Sequence, residues 1–593
     1  MASPTTTHLA ITFVQQGWEH LQLQRPLAAW ASWQRALRIA PGDEAATRAL
    51  ALLASAEDLP HAARATYRFR SPRNSEGSAG WQTLSMGRDL HDLDNAAEAF
   101  RQFVDENPAD APAWFNRALC LAWKGANLAA IAACEQVVNL DAANPNGLAV
   151  EAWTLAEVLR FGAGAEPLAD DLSYSATIEW HPHDPDPQSL GTLLATEPPI
   201  DPDRERPRLK DVHAYEWLDR PMPGDSESLE LDQLPRLLAT VIQTPRSLRL
   251  AGPDLAGLAE AQETLADSLA ASDRPFRREA RPLPLSLADA AVWTIRFPPG
   301  LEPDSRQRLA RGAVEHFFDN VWIHIPRKGL DGLRPLEAGR AAAGGDMVLR
   351  AKLEAVVAFR EQLGARRTTS ELYGGYPFDR LRRRLGLEMH SAETVDSGDL
   401  TCASAAELEK LDPAELDVHR LAEAFESTTG LRDDTRAAQF GAELTARGPD
   451  AVATSHVNLE SLCASRIRDA LGRGDKTGAF TYLDQAAALD RAVTGGQSAR
   501  TFATWRAELL VRAGAPEAAV EVYQDLLALH PNEVGLALDA ARTLQDAGYA
   551  NQARPLAELA LRLAQAAGEP NALRLAEALL RDLPPFPFGS SAS

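Results

Sequence analysis

AVEVYQDLLALHP, residues 519–531, sets a small residue, a bulky one, an apolar one and a proline in fixed order: Ala519, Tyr523, Leu526 and Pro531. The steps of four and three put the first three on one helix face, and the proline ends the helix. The stretch runs on to Ala553, with helical flanks from Thr501 to Leu563. The unit 34 residues later keeps Ala553 and Ala560 but has Ala557 at the bulky step. A small residue, Ala507 or Ala541, stands twelve positions before each start. Two antiparallel helices per unit, with small residues where they approach closely, account for this spacing and predict a helical-repeat scaffold.

The same order recurs toward the other end of the chain. Ala29, Trp33, Ala36 and Pro41 follow it, with Gly17 twelve before; Ala96, Phe100, Phe103 and Pro108 follow it; Ala130, Cys134 and Val137 follow it, with Ala118 twelve before. Looser matches are Ala437, Gly441, Leu444 and Pro449, then Ala479, Leu483 and Ala486. Ala96 to Ala130 is again 34 residues, and so is Ala29 to Ala63, which is expected to open a degraded unit with Tyr67. Ala142, Arg491 and Gln565 depart from the pattern by replacing the proline. The pattern resembles the tetratricopeptide repeat, a protein-interaction module, over roughly the first and last quarters of the chain. The resemblance implies grooves that bind a protein or peptide partner.

Composition narrows the classes. At 593 residues the chain exceeds what one core supports, so two to four domains are expected. Hydrophobic residues at 45% and charged ones at 24% exclude a largely disordered protein. A net charge of -23 repels phosphate backbones and argues against general nucleic-acid binding. Cys120, Cys134, Cys402 and Cys463 lack the short paired spacings of zinc sites and form no disulfide framework. Met1 to Phe13 lacks the pattern of a secretory signal, and no apolar stretch approaches the ~20 residues of a membrane span. A bacterial cytoplasm is the expected compartment.

The fold class expected is mainly α, with repeat arrays at both ends flanking a small central α+β domain. The boundaries read as an N-terminal array over 1–161, a proline-rich linker over 162–208 and a central domain over 209–390. An acidic linker follows over 391–412, then a C-terminal array over 413–583 and a mobile tail over 584–593. Trp18, Trp30, Trp33 and Trp114 are expected to fill the spaces between helices. Within the central part, 247–251 and 290–297 alternate like strands, and Asp254 and Asp304 read as helix caps.

Three constellations could carry chemistry. Trp322 with Pro326, Leu330, Gly332, Pro335 and Leu336 is similar to the toxin-binding tail of some bacterial antitoxins; the plain alternative is a core tryptophan beside a glycine turn. Phe378, Leu381 and Leu385 share one helix face while Arg380, Arg383 and Arg384 spread over the other, giving either an anion contact or intramolecular ion pairs. Trp322, Arg380, Arg383 and Arg384 are therefore the candidate partner contacts. His181 and His183 could begin a metal site, but two histidines bound in a proline-rich turn are the simpler reading. No phosphate loop, nucleophile elbow or His-Glu-x-x-His helix is present, so no catalytic, cofactor or metal residue is assigned.

The expected function is a non-catalytic adaptor that binds a protein or peptide through the repeat grooves, or the groove between the arrays. Two alternatives stand beside it. One is an enzymatic or metal-dependent central domain delivered by the repeats. The other is a nucleic-acid or toxin-binding regulator acting through 322–387.

Overall fold

The computed structural model describes residues 4–73, 93–179, 213–223, 229–244, 247–252, 255–268, 277–282, 294–367, 373, 376–391, 395–396, 398–568 and 570–583. It is mainly helical, with a small antiparallel sheet in its central part, and divides into two compact units, residues 1–395 and 396–593.

In the first unit α1 (Pro4–Gln22) and α2 (Pro26–Ile39) form a hairpin, followed by α3 (Glu44–Ala54). Ala29, Trp33 and Ala36 are fully buried on α2. Gly17 faces Trp33 so closely that a methyl group there would lie 2.1 Å from the indole nitrogen, which explains a small residue twelve positions before Ala29. A second series follows: α4 (Leu93–Glu106), α5 (Ala111–Trp123), α6 (Asn127–Asp141) and α7 (Ala149–Leu159). Asp110 caps α5 by accepting the N–H of Ala113 at 3.0 Å. Ala96, Phe100, Ala118, Ala130, Cys134 and Val137 are buried as their spacing requires. Phe103 is only half-buried, its neighbour Val104 taking the core position, and Pro41 and Pro108 are exposed at helix ends.

The unit expected from Ala63 and Tyr67 is not a hairpin. A single turn, His61–Arg64, gives way to extended chain over 65–73. The repeat interval from Ala29 falls there by coincidence. Thr66, Tyr67 and Phe69 favour extended backbone, and Tyr67 and Phe69 are half-buried while Thr66, Arg68 and Arg70 are exposed, a two-residue alternation.

The sheet contains β1 (Leu172–Glu179), β2 (His213–Leu218), β3 (Leu237–Thr244), β4 (Ser247–Gly252) and β5 (Arg277–Pro282), in the order β2-β3-β4-β1-β5 with every pair antiparallel. Leu248 and Leu250 point into a core with Ala239, Val241 and Ala176, against which Leu258 and Ala261 of α8 (Leu255–Ser268) pack. The interval 162–208 is therefore not all linker, because β1 lies between two partner strands inside the sheet. The strand expected over 290–297 reduces, among the described residues, to one bridge between Arg236 and Ile295. Asp254, the prolines over 182–207 and the tail 584–593 lie outside the described residues.

Helices then resume with α9 (Pro303–His316), α10 (Pro335–Ala343), α11 (Met347–Gly364) and α12 (Phe378–Arg384). Glu302, not Asp304, is the residue before α9, and Asp304 lies in its first turn. Pro335 opens α10 and Asp346 caps α11 through the N–H of Leu349. The helical part of 209–390 is not separate from the N-terminal array, because α11 packs along α7. Phe161 and Phe359 meet with ring centroids 5.9 Å apart, and the Trp153 indole donates to the carbonyl of Gly329 at 2.8 Å.

In the second unit α13 (Val418–Gly430) and α14 (Asp434–Ala446) form a hairpin, and the short α15 (Pro449–Ser455) follows. The remaining helices are α16 (Leu459–Gly472), α17 (Lys476–Val493), α18 (Ala499–Ala513), α19 (Pro516–Leu529), α20 (Val534–Asp546), α21 (Ala550–Ala567) and α22 (Pro570–Asp582). Ala507, Ala519, Tyr523, Leu526, Ala541, Ala553, Ala557 and Ala560 belong to one core, with Pro531 exposed just after α19. The described residues of 391–412, from 398 on, are packed chain rather than linker. Leu400, Cys402, Ala403 and Leu408 are buried, and Arg436 donates to the carbonyls of Leu408, Glu409 and Leu411 at 2.9, 2.8 and 2.7 Å. Its acidic residues are largely local: Glu407 completes a capping box with Ser404.

One feature of these hairpins was not anticipated. Gln24, Gly125, Arg432, Gly474, Gly514 and Gly548 all have left-handed backbone, with φ of 55, 76, 55, 76, 86 and 85°. Each stands five residues before the small residue that opens the second helix: Ala29, Ala130, Ala437, Ala479, Ala519 and Ala553. The tight turn between paired helices demands this conformation, and a side chain there costs about 1–2 kcal/mol, partly offset by glycine's greater freedom in the unfolded chain. Arg432→Gly is accordingly expected to stabilise the second unit by about 0.5–1 kcal/mol, read as a shift of its urea midpoint. A destabilisation would contradict the strain at this turn.

Candidate functional site

The face most developed for holding something lies on α5 and α7, and the chain itself fills it. Residues 65–73 run over it without helix, with Tyr67 and Phe69 half-buried and Thr66, Arg68 and Arg70 exposed. The Asn116 amide, fully buried on α5, makes two hydrogen bonds to the backbone of one residue: its nitrogen donates to the Arg70 carbonyl at 2.7 Å and its oxygen accepts the Arg70 N–H at 2.7 Å. Asp110, besides capping α5, accepts the Arg73 N–H at 2.6 Å. These contacts read backbone, so they require extended chain but no particular side chain.

Side chains add selectivity. Phe69 sits between Phe100 and Trp123, with centroids 5.2 and 5.3 Å away. The Arg70 guanidinium reaches both oxygens of Glu151 on α7 at 2.8 Å, and Arg73 reaches Asp141 at 2.6 Å. Tyr67 donates to the carbonyl of Ala62 at 3.1 Å, and burial pushes its phenol well above the usual tyrosine range. Nothing in residue spacing pointed to this arrangement. Its sequence signal is the run of Arg64, Arg68, Arg70 and Arg73 without an acid among them, inside a chain of net charge -23.

The second unit offers a different surface. A cleft of about 700 Å³ opens between α19 and α21, the second helices of successive hairpins. Val520, Leu527, Leu556 and Leu559 give it an apolar floor, and Glu517, Gln524, Gln552 and Arg562 a polar rim. Gln552 donates to Glu517 at 3.1 Å across it, and Leu529 nearby is 75% exposed. An apolar floor within a polar rim is the anatomy of a protein contact.

The candidate contacts in 322–387 are mostly interior. Trp322 is fully buried, with an edge-on contact to Phe318 at 6.0 Å and the Arg327 guanidinium over its ring at 5.3 Å. Arg380 pairs with Asp319 at 3.0 Å, and Tyr376 donates to the other Asp319 oxygen at 2.8 Å. Burial nevertheless pushes the Asp319 carboxyl up, against the pull of Arg380. Arg382 bridges Glu354 and Glu361 on α11, and Arg383 and Arg384 are buried. The arginines of α12 point into the protein, because carboxylates on α11 and at Asp319 supply what water would otherwise supply. They do not form an open cationic face.

A second buried network joins sheet to helices. Asp171, at the start of β1, accepts from Arg327 at 3.3 Å and from Arg360 of α11 at 3.1 Å, and Glu157 pairs with Arg160 at 3.1 Å beside it. Burial alone would push the Asp171 carboxyl up; the charges of Arg360 and Arg327 outweigh it and hold the group below the usual range. Burial pushes Glu157 up. Lys352 pairs with Asp331 at 2.7 Å and Glu135 at 3.2 Å, over the Trp153 ring at 4.6 Å. Each charge in these networks answers another from a neighbouring element, which is what structural ion pairs do.

Among the described residues no group of three or more His, Cys, Asp or Glu could hold a metal ion, and His181 and His183 lie outside them. All four cysteines are buried, and burial pushes Cys120, Cys134 and Cys463 up to about 12. The native protein is expected to give almost no reaction with a thiol reagent at pH 8 within minutes, and four equivalents after unfolding in guanidinium. Fast labelling of the folded chain would refute this burial.

Residues 88–147 and 465–534 match a family model described as Tetratricopeptide repeat. The first match covers α4 to α6 and the second α17 to α19, the hairpins built above. No curated protein matches the chain. Among the described residues no helix is long and apolar enough to cross a membrane.

Proposed function

We propose, from the premise that residues 88–147 and 465–534 are tetratricopeptide repeats, that this chain is a non-catalytic scaffold whose helical-hairpin surfaces hold segments of a partner protein. The observation that carries this reading is the clamp of Asn116, Asp110 and Glu151 around residues 65–73, where hairpins of this chain grip extended polypeptide. The cleft between α19 and α21 is the surface assigned to an outside partner, with Val520, Leu527, Leu556 and Leu559 burying its apolar side chains. The arginines of α12 turn inward, which favours the scaffold over a reading in which that helix contacts nucleic acid. A cytoplasmic setting fits a scaffold whose buried cysteines form no disulfide.

The test uses the full-length protein carrying Ala528→Arg, an exposed position that lines the cleft. Partners recovered with the unaltered chain, and cross-linked to residues 516–562, are expected to fall at least tenfold in the variant with unchanged thermal unfolding. Equal recovery with and without the arginine would remove the cleft from the proposal. Recovery of chaperones alone would remove the scaffold reading itself.

A further inference from the structure

We propose that the face of α5 and α7 is a second binding site, for an extended basic and aromatic segment of a partner protein, and that residues 65–73 occupy it as an internal stand-in. This rests on the scaffold reading but concerns a different surface from the cleft. Three observations carry it.

The first is that the clamp reads peptide backbone. Asn116 engages both hydrogen-bonding groups of Arg70, and Asp110 takes the N–H of Arg73. A loop that merely crosses a helix has no need of a buried side-chain amide satisfied by its main chain, whereas capture of an extended ligand uses this device. The second is complementarity of charge. Acidic groups at Asp110, Asp141 and Glu151 meet a segment whose only ionic groups are arginines, in a chain that is otherwise acidic. The third is that the hold is one that can be exchanged. Arg70 and Arg73 are exposed, and each ion pair has an exposed member, so the pairs contribute little net stability. The aromatic anchor, Phe69, is half-buried rather than sealed. An incoming chain with an aromatic residue followed by arginines at the same spacing would recover every contact that the internal segment gives up.

The probe is a fluorescein-labelled synthetic peptide with the sequence of residues 64–73, RATYRFRSPR, titrated by anisotropy into full-length protein. Phe69→Ala/Arg70→Ala, which loosens the internal segment, is expected to bind the peptide at least tenfold more tightly than the unaltered chain. Adding Asn116→Ala should abolish that gain. A scrambled peptide of equal charge should bind at least tenfold more weakly than the ordered one. Hydrogen exchange on the unaltered protein gives a readout independent of any substitution: saturating peptide should raise deuterium uptake within 65–73. No gain in affinity by a folded variant, equal binding of the scrambled peptide, or unchanged exchange at 65–73 would each overturn the proposal. Failure here together with a partner at the cleft would leave the scaffold reading intact.

Discussion

Asp171→Ala is expected to destabilise the unit of residues 1–395 by about 3–5 kcal/mol, because it removes the carboxylate at which two buried guanidinium groups each direct a nitrogen. Arg360 and Arg327 are 1% and 3% exposed and both direct a nitrogen at Asp171. Glu157, the neighbouring carboxylate, is already engaged by Arg160 at 3.1 Å. The effect carries a pH signature. Asp171 is held below the usual carboxylate range, so its contribution is complete above the pKa of an unfolded aspartate and fades as acid is added through the lowered native value. Urea unfolding at pH 7 should show the full loss, and the difference between variant and unaltered protein should shrink toward pH 2. A loss under 1 kcal/mol at pH 7 would mean the arginines find other partners. Asp171→Ala combined with Arg360→Met should recover part of the loss, since the second change removes a buried charge that has lost one of its acceptors.

Trp33→Ala should cost a comparable ~3–5 kcal/mol through the cavity it leaves. The indole is fully buried, meets Trp18 edge-on at 5.0 Å and donates to the carbonyl of Val14 at 3.2 Å. Gly17→Ala attacks the same contact from the other side by pushing a methyl into the ring, for which about 1–3 kcal/mol is expected. The double variant should lose clearly less than the sum, since the new methyl then enters the space the indole has left. Additive losses would show that the two residues do not meet. The unfolding transition of residues 396–593 should stay where it is in all three.

The hairpins were legible because their requirements are local. A buried alanine, a bulky residue four positions on and a small residue twelve before express one helix pair, and Ala519, Tyr523 and Ala507 state it completely. The left-handed turn five residues ahead of each second helix was equally local and could have been read from Gly125, Gly474, Gly514 and Gly548; Gln24 and Arg432 obscure it, since neither residue announces a positive φ. Strand β4 was legible from its alternation. The role of α11 was not, because its partner α7 is remote in sequence and either apolar face would suit many neighbours. The arginines of α12 misled for a related reason. Charge on a helix face reads as solvated until the carboxylates of Glu354 and Glu361 are known to lie opposite. The clamp on 65–73 was hidden by the coincidence that put Ala63 one repeat interval after Ala29.

The pairing of α7 with α11 has a consequence for how the molecule is made. The last helix of the N-terminal series emerges from the ribosome with Trp153, and Phe161 just after it, lacking their eventual cover. At ordinary elongation rates of about 5–20 residues per second, the roughly 190 residues up to α11 delay that cover by on the order of 10–40 s. During that interval the nascent chain displays a greasy strip that a folding helper can recognise, so slowing translation just before residue 347 should raise the fraction of product that aggregates.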